Sequence, residues 1–159
     1  MPALIVFDLD LTLWHCGPKL WCDQLHLPLV KRSRGEIYDH DGTQVALFHD
    51  VPTILAELQA QDYLLALASR TSAPPVARQL LDLFGITSFF AHQAIYPGDK
   101  TAHFAALQQE TGIPYSEMLF FDDERRNIAD VSALGVQSHL ITHGLTPEEL
   151  KSALSKANS

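Results

Sequence analysis

The sequence has few cysteines and few basic residues. Its two cysteines, Cys16 and Cys22, are separated by five other residues, which fits neither a C-x-x-C redox pair nor a four-ligand zinc site. We therefore expect both thiols to be reduced and buried, as free cysteines commonly are. Lys and Arg together number 11 against 19 Asp and Glu, which gives a formal charge of −8. This is the wrong sign for electrostatic binding to nucleic acid or to an anionic membrane surface, so neither partner is expected.

Long apolar runs, histidine pairs and repeats are also missing. The first apolar run, Leu4–Phe7, stops at Asp8, and the preceding Met1-Pro2-Ala3 carries no basic residue. The start of the chain therefore predicts neither a signal peptide nor a membrane span and favours a cytoplasmic protein. The eight histidines are scattered and form no H-E-x-x-H motif, which argues against a histidine-based metal site.

What is present is a series of short apolar runs that alternate with amphipathic segments. A chain of 159 residues that is 47% hydrophobic is long enough for one domain with its own core. The apolar runs, typical of strands buried on both faces, are residues 4–7, 63–68, 94–96, 118–121 and 138–142. This alternation predicts an α/β fold of the Rossmann-like, doubly wound kind, a mainly parallel sheet with helices on both faces.

Helix start and stop signals fill the intervals between these runs. Capping residues or helix starts are expected at Asp50, Ser72, Lys100 and Thr146, with a further helix around Ile128, and stops at Gly85 and Gly112. Pro follows Val51 and Ser72 closely, as is common in the first turn of a helix.

Residues 13–50 are irregular and polar, and we interpret them as a small insertion or flap within a single domain of residues 1–159. Their clearest feature is a predicted β-hairpin, with strands at residues 36–39 and 44–48 around the turn signal Asp41-Gly42. The insertion directly follows the first strand, so it is expected near the carboxyl end of that strand.

Chemically suggestive residues follow four of the five predicted strands. They are Asp8-Leu9-Asp10-Leu11-Thr12, Ser69-Arg70-Thr71, the Lys100 that follows Pro97-Gly98-Asp99, and the pair Asp122-Asp123. Each group alone is explained by turns and helix caps, but ligands of open parallel sheets bind at the carboxyl ends of the strands, where all four would meet. Crowded carboxylates need a cation, and an all-oxygen set suits Mg²⁺ better than Zn²⁺. Lys100 and Ser69 could bind the remaining oxygens of a phosphoryl group.

These motifs resemble those of the haloacid dehalogenase-like phosphatases. Asp8-Leu9-Asp10-Leu11-Thr12 matches the D-x-D-x-T signature, Ser69 the second motif, Lys100 the third, and the segment from Phe120-Phe121-Asp122-Asp123 to Asn127 the acidic fourth. The resemblance spans residues 4 to about 142 and implies a phosphatase that depends on Mg²⁺. Within the family, the residues around the motifs are similar to those of magnesium-dependent members. This similarity implies phosphotyrosine or phosphorylated sugars such as fructosamine phosphates as substrates.

The resemblance also implies a role for each motif residue. Asp8 would be the nucleophile that forms an aspartyl-phosphate, and Asp10 would be the general acid and base. Mg²⁺ would bind the carboxylates of Asp8 and Asp123 and the backbone carbonyl of Asp10, with Asp122 and Asn127 in supporting or water-mediated positions. Asp123 is preferred as the ligand because aligning the family's G-D-x-x-x-D/N pattern places Asp122 on the glycine. The transferring oxygens would be held by Ser69, Lys100, the backbone amide of Leu9 and Arg70.

Several residues near these motifs are expected to have structural roles. Thr12 should fix the turn, and for Trp14, His15 and Tyr38 packing within the insertion is favoured over contact with substrate. The chain offers no obvious need for a partner subunit, so a monomer is expected.

Three alternative functions remain to be weighed. A phosphomutase would need a substantial cap to exclude water, and the insertion has room only for a hairpin. A receiver-type signalling domain would carry its acidic pair after the first strand, whereas here the pair follows the fourth. A catalytically dead binding module is disfavoured by the complete set of Asp8, Asp10, Ser69, Lys100 and Asp123.

Overall fold

The computed structural model describes residues 1–158. The nine strands of the described residues are β1 (Leu4–Phe7), β2 (Trp14–His15), β3 (Val30–Lys31), β4 (Ile37–Tyr38), β5 (Gln44–Leu47), β6 (Leu65–Ser69), β7 (His92–Ile95), β8 (Met118–Asp122) and β9 (Gln137–Leu140). The α-helices are α1 (Val51–Ala60), α2 (Pro74–Phe84), α3 (Lys100–Thr111), α4 (Arg125–Ser132) and α5 (Pro147–Ala157). Short 3₁₀ helices lie at Cys22–Gln24, Ser33–Gly35, Thr87–Phe89 and Tyr115–Glu117.

A five-stranded sheet forms the centre of the molecule, in the order β7-β6-β1-β8-β9. Every neighbouring pair in it is parallel. The middle strand β1 pairs on both sides, with Val6 opposite Ala66 of β6 and Phe120 of β8. All four residues of β1 are fully buried, as expected for a central strand covered on both faces.

Alternate residues of β1 point into two separate apolar clusters, one on each face of the sheet. Ile5 and Phe7 pack with buried residues of α1, α2 and α5, whereas Leu4 and Val6 pack with those of α3 and α4. Burying a large apolar side chain stabilises a fold by about 1.5–3 kcal/mol, so these clusters hold the helices against the sheet. The predicted doubly wound α/β fold, with helices on both faces, is confirmed.

Most strand positions match the sequence prediction, with shifts at the ends. The strand predicted at 63–68 is β6, which extends to Ser69, so that the serine is the last residue of the strand. The strand predicted at 94–96 is β7, which begins earlier, at His92. As an edge strand with half-exposed His92 and Gln93, β7 has no apolar run over those residues to mark its start.

Helix ends follow the signals in the sequence in most places. Gly85 and Gly112 adopt positive φ angles of 71° and 70° after α2 and α3, a conformation that favours glycine. Thr146 caps α5 by accepting the backbone N–H of Glu149 through its side chain. Ser72 is not the cap of α2: that position is Ala73, and the Ser72 hydroxyl donates to Asp23 at 2.8 Å instead.

The insertion folds into a four-stranded antiparallel sheet in the order β2-β5-β4-β3. The predicted hairpin is its centre, with Ile37 of β4 opposite Val45 of β5. The strands β2 and β3, of two residues each, were not predicted. Lys19 stabilises the hairpin turn through ion pairs to Asp39 at 2.6 Å and Asp41 at 2.9 Å. Within residues 1–158, none of the helices has both the length and the apolar character needed to cross a membrane.

Candidate active site

The four predicted motifs meet at the carboxyl edge of the parallel sheet. A cavity of about 330 Å³ opens there. Its lining includes predicted site residues from all four motifs, namely Asp8, Asp10, Ser69, Arg70, Lys100 and Asn127. The strand order accounts for this, because β6, β1 and β8 are neighbours and end at the same edge.

Lys100 joins two of the acidic motifs from the first residue of α3. Its Nζ donates to Asp8 Oδ1 at 2.8 Å and to Asp122 Oδ2 at 2.5 Å, and the side chain is 1% exposed. Burial alone would lower the pKa of Lys100, but the charges of Asp8 and Asp122 more than offset this effect, and the pKa is raised. The lysine therefore supplies a positive charge inside the site.

Both carboxylate oxygens of Asp122 accept hydrogen bonds from other residues. Besides Lys100, its Oδ2 accepts from Asn127 Nδ2 at 3.0 Å, and its Oδ1 accepts the backbone N–H of Glu124 at 2.9 Å. Asn127 in turn accepts a hydrogen bond from Arg70 Nη1 at 3.2 Å through its own Oδ1. Asp122 and Asn127 thus connect the lysine to Arg70.

Asp8, Asp122 and Asp123 bring carboxylate oxygens within 4.8 Å of one another. Burial, followed by the charge of Asp8, raises the pKa of Asp123 to about 9. Three acids against the single ammonium of Lys100 leave an excess of negative charge, which either protons or a cation must balance. A divalent ion with a preference for oxygen ligands, such as Mg²⁺, fits this set of donors.

Asp10 lies at the start of a tight turn that returns the chain from β1 to β2. Leu11 has a φ of 63°, in the left-handed region, and its N–H bonds to the carbonyl of Trp14 at 2.7 Å. This turn brings the Trp14 indole back to Asp10, and Trp14 Nε1 donates to Asp10 Oδ1 at 2.7 Å. Burial is the main reason that the pKa of Asp10 is raised to about 6.

Ser69, Thr12 and Leu9 lie around Asp8. Ser69 is nearly buried at the end of β6, and Thr12 Oγ1 donates to Asp8 Oδ2 at 3.4 Å. The carbonyl of Leu9 accepts the N–H groups of Thr12 and Leu13, so this residue forms the inner side of the turn. Thr12 therefore contacts the Asp8 carboxylate in addition to its place in the turn.

Arg70 is tethered at the rim of the cavity. Its Nε donates to the carbonyl of Gly98 at 2.9 Å, and its guanidinium also lies 3.8 Å from Asp99. Arg126 shares Asp99 at 2.5 Å, so two guanidinium groups flank one carboxylate. This side of the cavity is consequently basic, in a protein whose net charge is negative.

Four cavity residues were not identified from the sequence, namely Trp21, Asp23, Glu124 and Arg126. Arg126 lies within the fourth motif, where the charge next to Asn127 was a usable signal. Trp21 and Asp23 belong to the irregular insertion, whose path cannot be read from periodicity.

His15 and Tyr38 lie outside this cavity. His15 packs against Phe48 and borders a second cavity of about 510 Å³ that Asp123 also lines. Tyr38 donates to Glu36 and lies beneath Arg32.

Comparison with known proteins identifies the family of the chain. The sequence pattern of the family described as Acid Phosphatase matches residues 1–159. The chain belongs to this acid phosphatase family. Magnesium-dependent phosphatase 1 from Homo sapiens is 48% identical over 155 residues, which cover 97% of this chain and 86% of the human protein. A HAD-like hydrolase superfamily protein from Schizosaccharomyces pombe is 40% identical and covers 85% of this chain and 83% of its own length.

Solved structures of the haloacid dehalogenase-like (HAD) superfamily share the fold of this acid phosphatase family member. A HAD family enzyme from Bacteroides thetaiotaomicron, determined with magnesium and inorganic phosphate, aligns with a TM-score of 0.69 at 14% identity and covers 94% of this chain and 99% of its own. A haloacid dehalogenase-like hydrolase from Streptococcus pneumoniae aligns with a TM-score of 0.64 at 15% identity, over 94% of this chain and 90% of its own. Together with the acidic cluster, these relationships support a magnesium-dependent phosphatase of the HAD superfamily.

Proposed function

We propose that the protein hydrolyses phosphomonoesters through an aspartyl-phosphate on Asp8, with Asp10 as general acid and then general base. The observation that carries this proposal is the juxtaposition of Asp8, Asp10 and Lys100 in one cavity. An ionised carboxylate, a carboxyl group able to hold a proton and a fixed ammonium are the three groups that such a reaction requires.

Asp8 is suited to the role of nucleophile. Lys100 donates to its Oδ1 at 2.8 Å and Thr12 to its Oδ2 at 3.4 Å, and these two contacts hold the carboxylate in place. In the first step, a carboxylate oxygen of Asp8 would form a bond to phosphorus while the bond from phosphorus to the ester oxygen breaks. Ser69, Lys100, Arg70 and the backbone amide of Leu9 would hold the phosphoryl oxygens during this transfer.

Asp10 is suited to proton transfer in both steps. A pKa of about 6 lets its carboxyl group hold a proton near neutral pH and donate it to the departing ester oxygen. The resulting carboxylate would then take a proton from the water that attacks the phosphorus of the aspartyl-phosphate, which regenerates Asp8. Both proton transfers take place at the same edge of the cavity.

The side chains of Asp8 and Asp123 and the backbone carbonyl of Asp10 are the proposed ligands of Mg²⁺. When bound, the ion would neutralise the negative charge of the phosphoryl group and of the carboxylates around it. Asp122 is assigned a supporting role because both of its oxygens already accept hydrogen bonds from Lys100, Asn127 and Glu124.

For substrates we propose phosphotyrosine or phosphorylated sugars, including fructosamine phosphates. Trp21 lines the cavity and is 42% exposed, and such an aromatic surface can pack against a tyrosine or sugar ring. Asp23 and Glu124 add carboxylates that can bind hydroxyl or amino groups. All the proposed groups come from one domain of one chain, so a monomer would suffice, and nothing in the mechanism requires a location other than the cytoplasm.

A panel of phosphomonoesters tests this proposal. We expect turnover of aryl and sugar phosphates with Mg²⁺ and its loss on chelation, and Asp8→Asn should be inactive but folded. Quenching wild type during turnover of a ³²P-labelled substrate should give acid-stable, hydroxylamine-sensitive label on the peptide that contains Asp8. Label on Asp10, or full activity after chelation, would contradict the proposed mechanism. Transfer to a second sugar hydroxyl in place of water would identify a phosphomutase.

A further inference from the structure

We propose that Trp14 and the backbone amide of Cys22 are positioning groups that orient Asp10, so that its Oδ2 faces the leaving group of the substrate. We call these two groups the Asp10 clamp. The inference rests on the proposed function, in which Asp10 is the general acid, and adds to it the means by which that acid is aimed.

The clamp contacts only one of the two carboxylate oxygens of Asp10. Trp14 Nε1 donates to Asp10 Oδ1 at 2.7 Å, and the backbone N–H of Cys22 donates to the same oxygen at 3.0 Å. The Cys16 thiol lies 3.9 Å from Oδ1 as a third, weaker donor. All three contacts end on Oδ1. Two N–H donors on one oxygen restrict the rotation of a carboxyl group, and they leave Oδ2 as the oxygen for the cavity that Asp10 lines.

Packing holds the Trp14 side chain in a fixed position. Its side chain is fully buried, and its ring packs on Phe84 with 6.0 Å between ring centroids. The turn through Leu11, whose φ of 63° is uncommon for a residue other than glycine, brings the indole to Asp10. A phenylalanine would supply nearly the same packing, so the hydrogen bond from Nε1 is what distinguishes tryptophan here.

The second half of the clamp connects Asp10 to the wall of the cavity. Cys22 begins the 3₁₀ helix Cys22–Gln24, and its neighbours Trp21 and Asp23 both line the cavity. The insertion therefore contributes to catalysis through its backbone at Cys22 and through the indole of Trp14, in addition to shaping the space for substrate. This differs from an insertion that only covers the site.

Leaving groups of different basicity separate orientation of an acid from general structural support. An alkyl or sugar phosphate releases a strongly basic oxygen and needs a well-placed proton donor, whereas p-nitrophenyl phosphate releases a stable phenolate. The ratio kcat/KM reports the steps up to formation of the phosphoenzyme, where this proton is donated. The acid contributes about 10²–10⁴-fold in such reactions, so losing its orientation should remove a measurable part of that factor.

We expect Trp14→Phe to lower kcat/KM for a sugar phosphate by about tenfold or more, and for p-nitrophenyl phosphate by less than about twofold. Phe84→Leu is the matched control, because it alters packing against the same indole and leaves the donor in place. It should change kcat/KM for the two substrates by the same factor. Circular dichroism and thermal unfolding confirm that each variant is folded.

Cys22→Pro provides a second, independent variant. It removes the other N–H donor at the first position of a 3₁₀ helix, where proline is tolerated and where the extended conformation of Trp21 suits a following proline. The same selective loss on the sugar phosphate is expected. If a folded Trp14→Phe or Cys22→Pro variant lowered kcat/KM by the same factor for both substrates, or lowered it for neither, the proposal of the Asp10 clamp would be wrong.

Asp10→Asn distinguishes failure of the clamp from failure of the proposed function. If Asp10→Asn keeps wild-type kcat/KM on the sugar phosphate, Asp10 is not the general acid, and both proposals fail. If Asp10→Asn loses that activity while Trp14→Phe and Cys22→Pro keep it, the acid is assigned correctly and only the clamp is refuted.

Discussion

Lys100 Nζ lies 2.8 Å from Asp8 Oδ1, although 92 positions separate the two residues in the sequence. Removing both charges from water is unfavourable, and such a pair is retained only when further hydrogen bonds compensate. The second contact of Lys100, to Asp122, supplies that compensation and places one cation among three acids. The lysine therefore stabilises the fold of the site before any phosphoryl group or metal ion is present.

We expect Lys100→Met to lower kcat/KM for a phosphomonoester by about 100-fold or more, because the transferring phosphoryl group loses a buried cation. The melting temperature should also fall, and it should fall more in EDTA than in Mg²⁺, since the ion restores part of the missing charge. Lys151→Met, at an exposed lysine of α5, is the control and should leave both quantities unchanged. Equal melting temperatures of Lys100→Met with and without Mg²⁺ would contradict this account.

Asp122→Asn and Asp123→Asn should separate support from direct metal binding. We expect Asp123→Asn to raise the Mg²⁺ concentration for half-maximal activity by more than about 100-fold, and Asp122→Asn by about tenfold, the range found for residues that orient ligands. Asp122→Asn should lower the melting temperature, because Lys100 loses a charged partner. Titrations of activity with Mg²⁺ and thermal unfolding measure the two effects. The opposite ranking of the two variants in the titration would make Asp122 the direct ligand.

Local signals in the sequence were sufficient for the central sheet and for the position of the site. The run at residues 4–7 is uniformly apolar because β1 is buried on both faces, and Gly85 and Gly112 mark helix ends through a backbone conformation that few other residues adopt. The meeting of Asp8 and Lys100 then follows from topology, since parallel strands present their carboxyl ends at one edge. That prediction did not depend on knowing which atoms are in contact.

Contacts within the insertion could not be predicted in the same way. Trp14 pairs with Leu47 in a strand of two residues, which is too short to give an alternating pattern. Trp21 reaches the cavity wall because the Gln24 side chain holds the backbone N–H groups of Leu20 and Trp21, a local arrangement that composition does not indicate. The sequence suggested packing for Trp14, and packing does occur, but its hydrogen bond to Asp10 depends on the strained turn at Leu11.

The ion pair of Asp39 with Lys19 predicts an acid-sensitive contribution of the insertion to stability. Burial would raise the pKa of Asp39, but hydrogen bonds from Lys19 and from the backbone of His26 and Thr43 outweigh it, and the pKa is lowered. A group with a lowered folded-state pKa stabilises the fold at pH values above its unfolded pKa, and this contribution is lost as the pH falls through the folded value. We therefore expect Asp39→Asn to lower the melting temperature by about 5 °C at pH 7.

The difference between wild type and Asp39→Asn should be constant from pH 7 to about pH 5 and should shrink below about pH 4, where the unfolded-state carboxyl becomes protonated. Asp41→Asn is the matched control: Asp41 contacts the same lysine from a side chain that is 42% exposed, so its effect should be smaller. Thermal unfolding monitored across this pH range gives the comparison. A difference that grows as the pH falls would have the wrong sign for this pair.

Trp21 should influence which substrates are preferred more than the rate of the chemical step. Its ring lines the cavity, while its backbone is held by Gln24 Oε1, so Trp21→Ala removes the aromatic surface without releasing the segment. Aromatic contacts contribute about 0.5–1.5 kcal/mol, which corresponds to a rise of about twofold to 13-fold in KM for an aryl phosphate. We expect kcat to change by less than about twofold, because in the proposed substrate complex the ring would contact the leaving group and not the phosphoryl oxygens. Leu20→Ala is the control, since Leu20 is also an exposed apolar residue but lies outside the cavity lining. A fall in kcat for every phosphomonoester with KM unchanged would instead place Trp21 among the groups that act in the transition state.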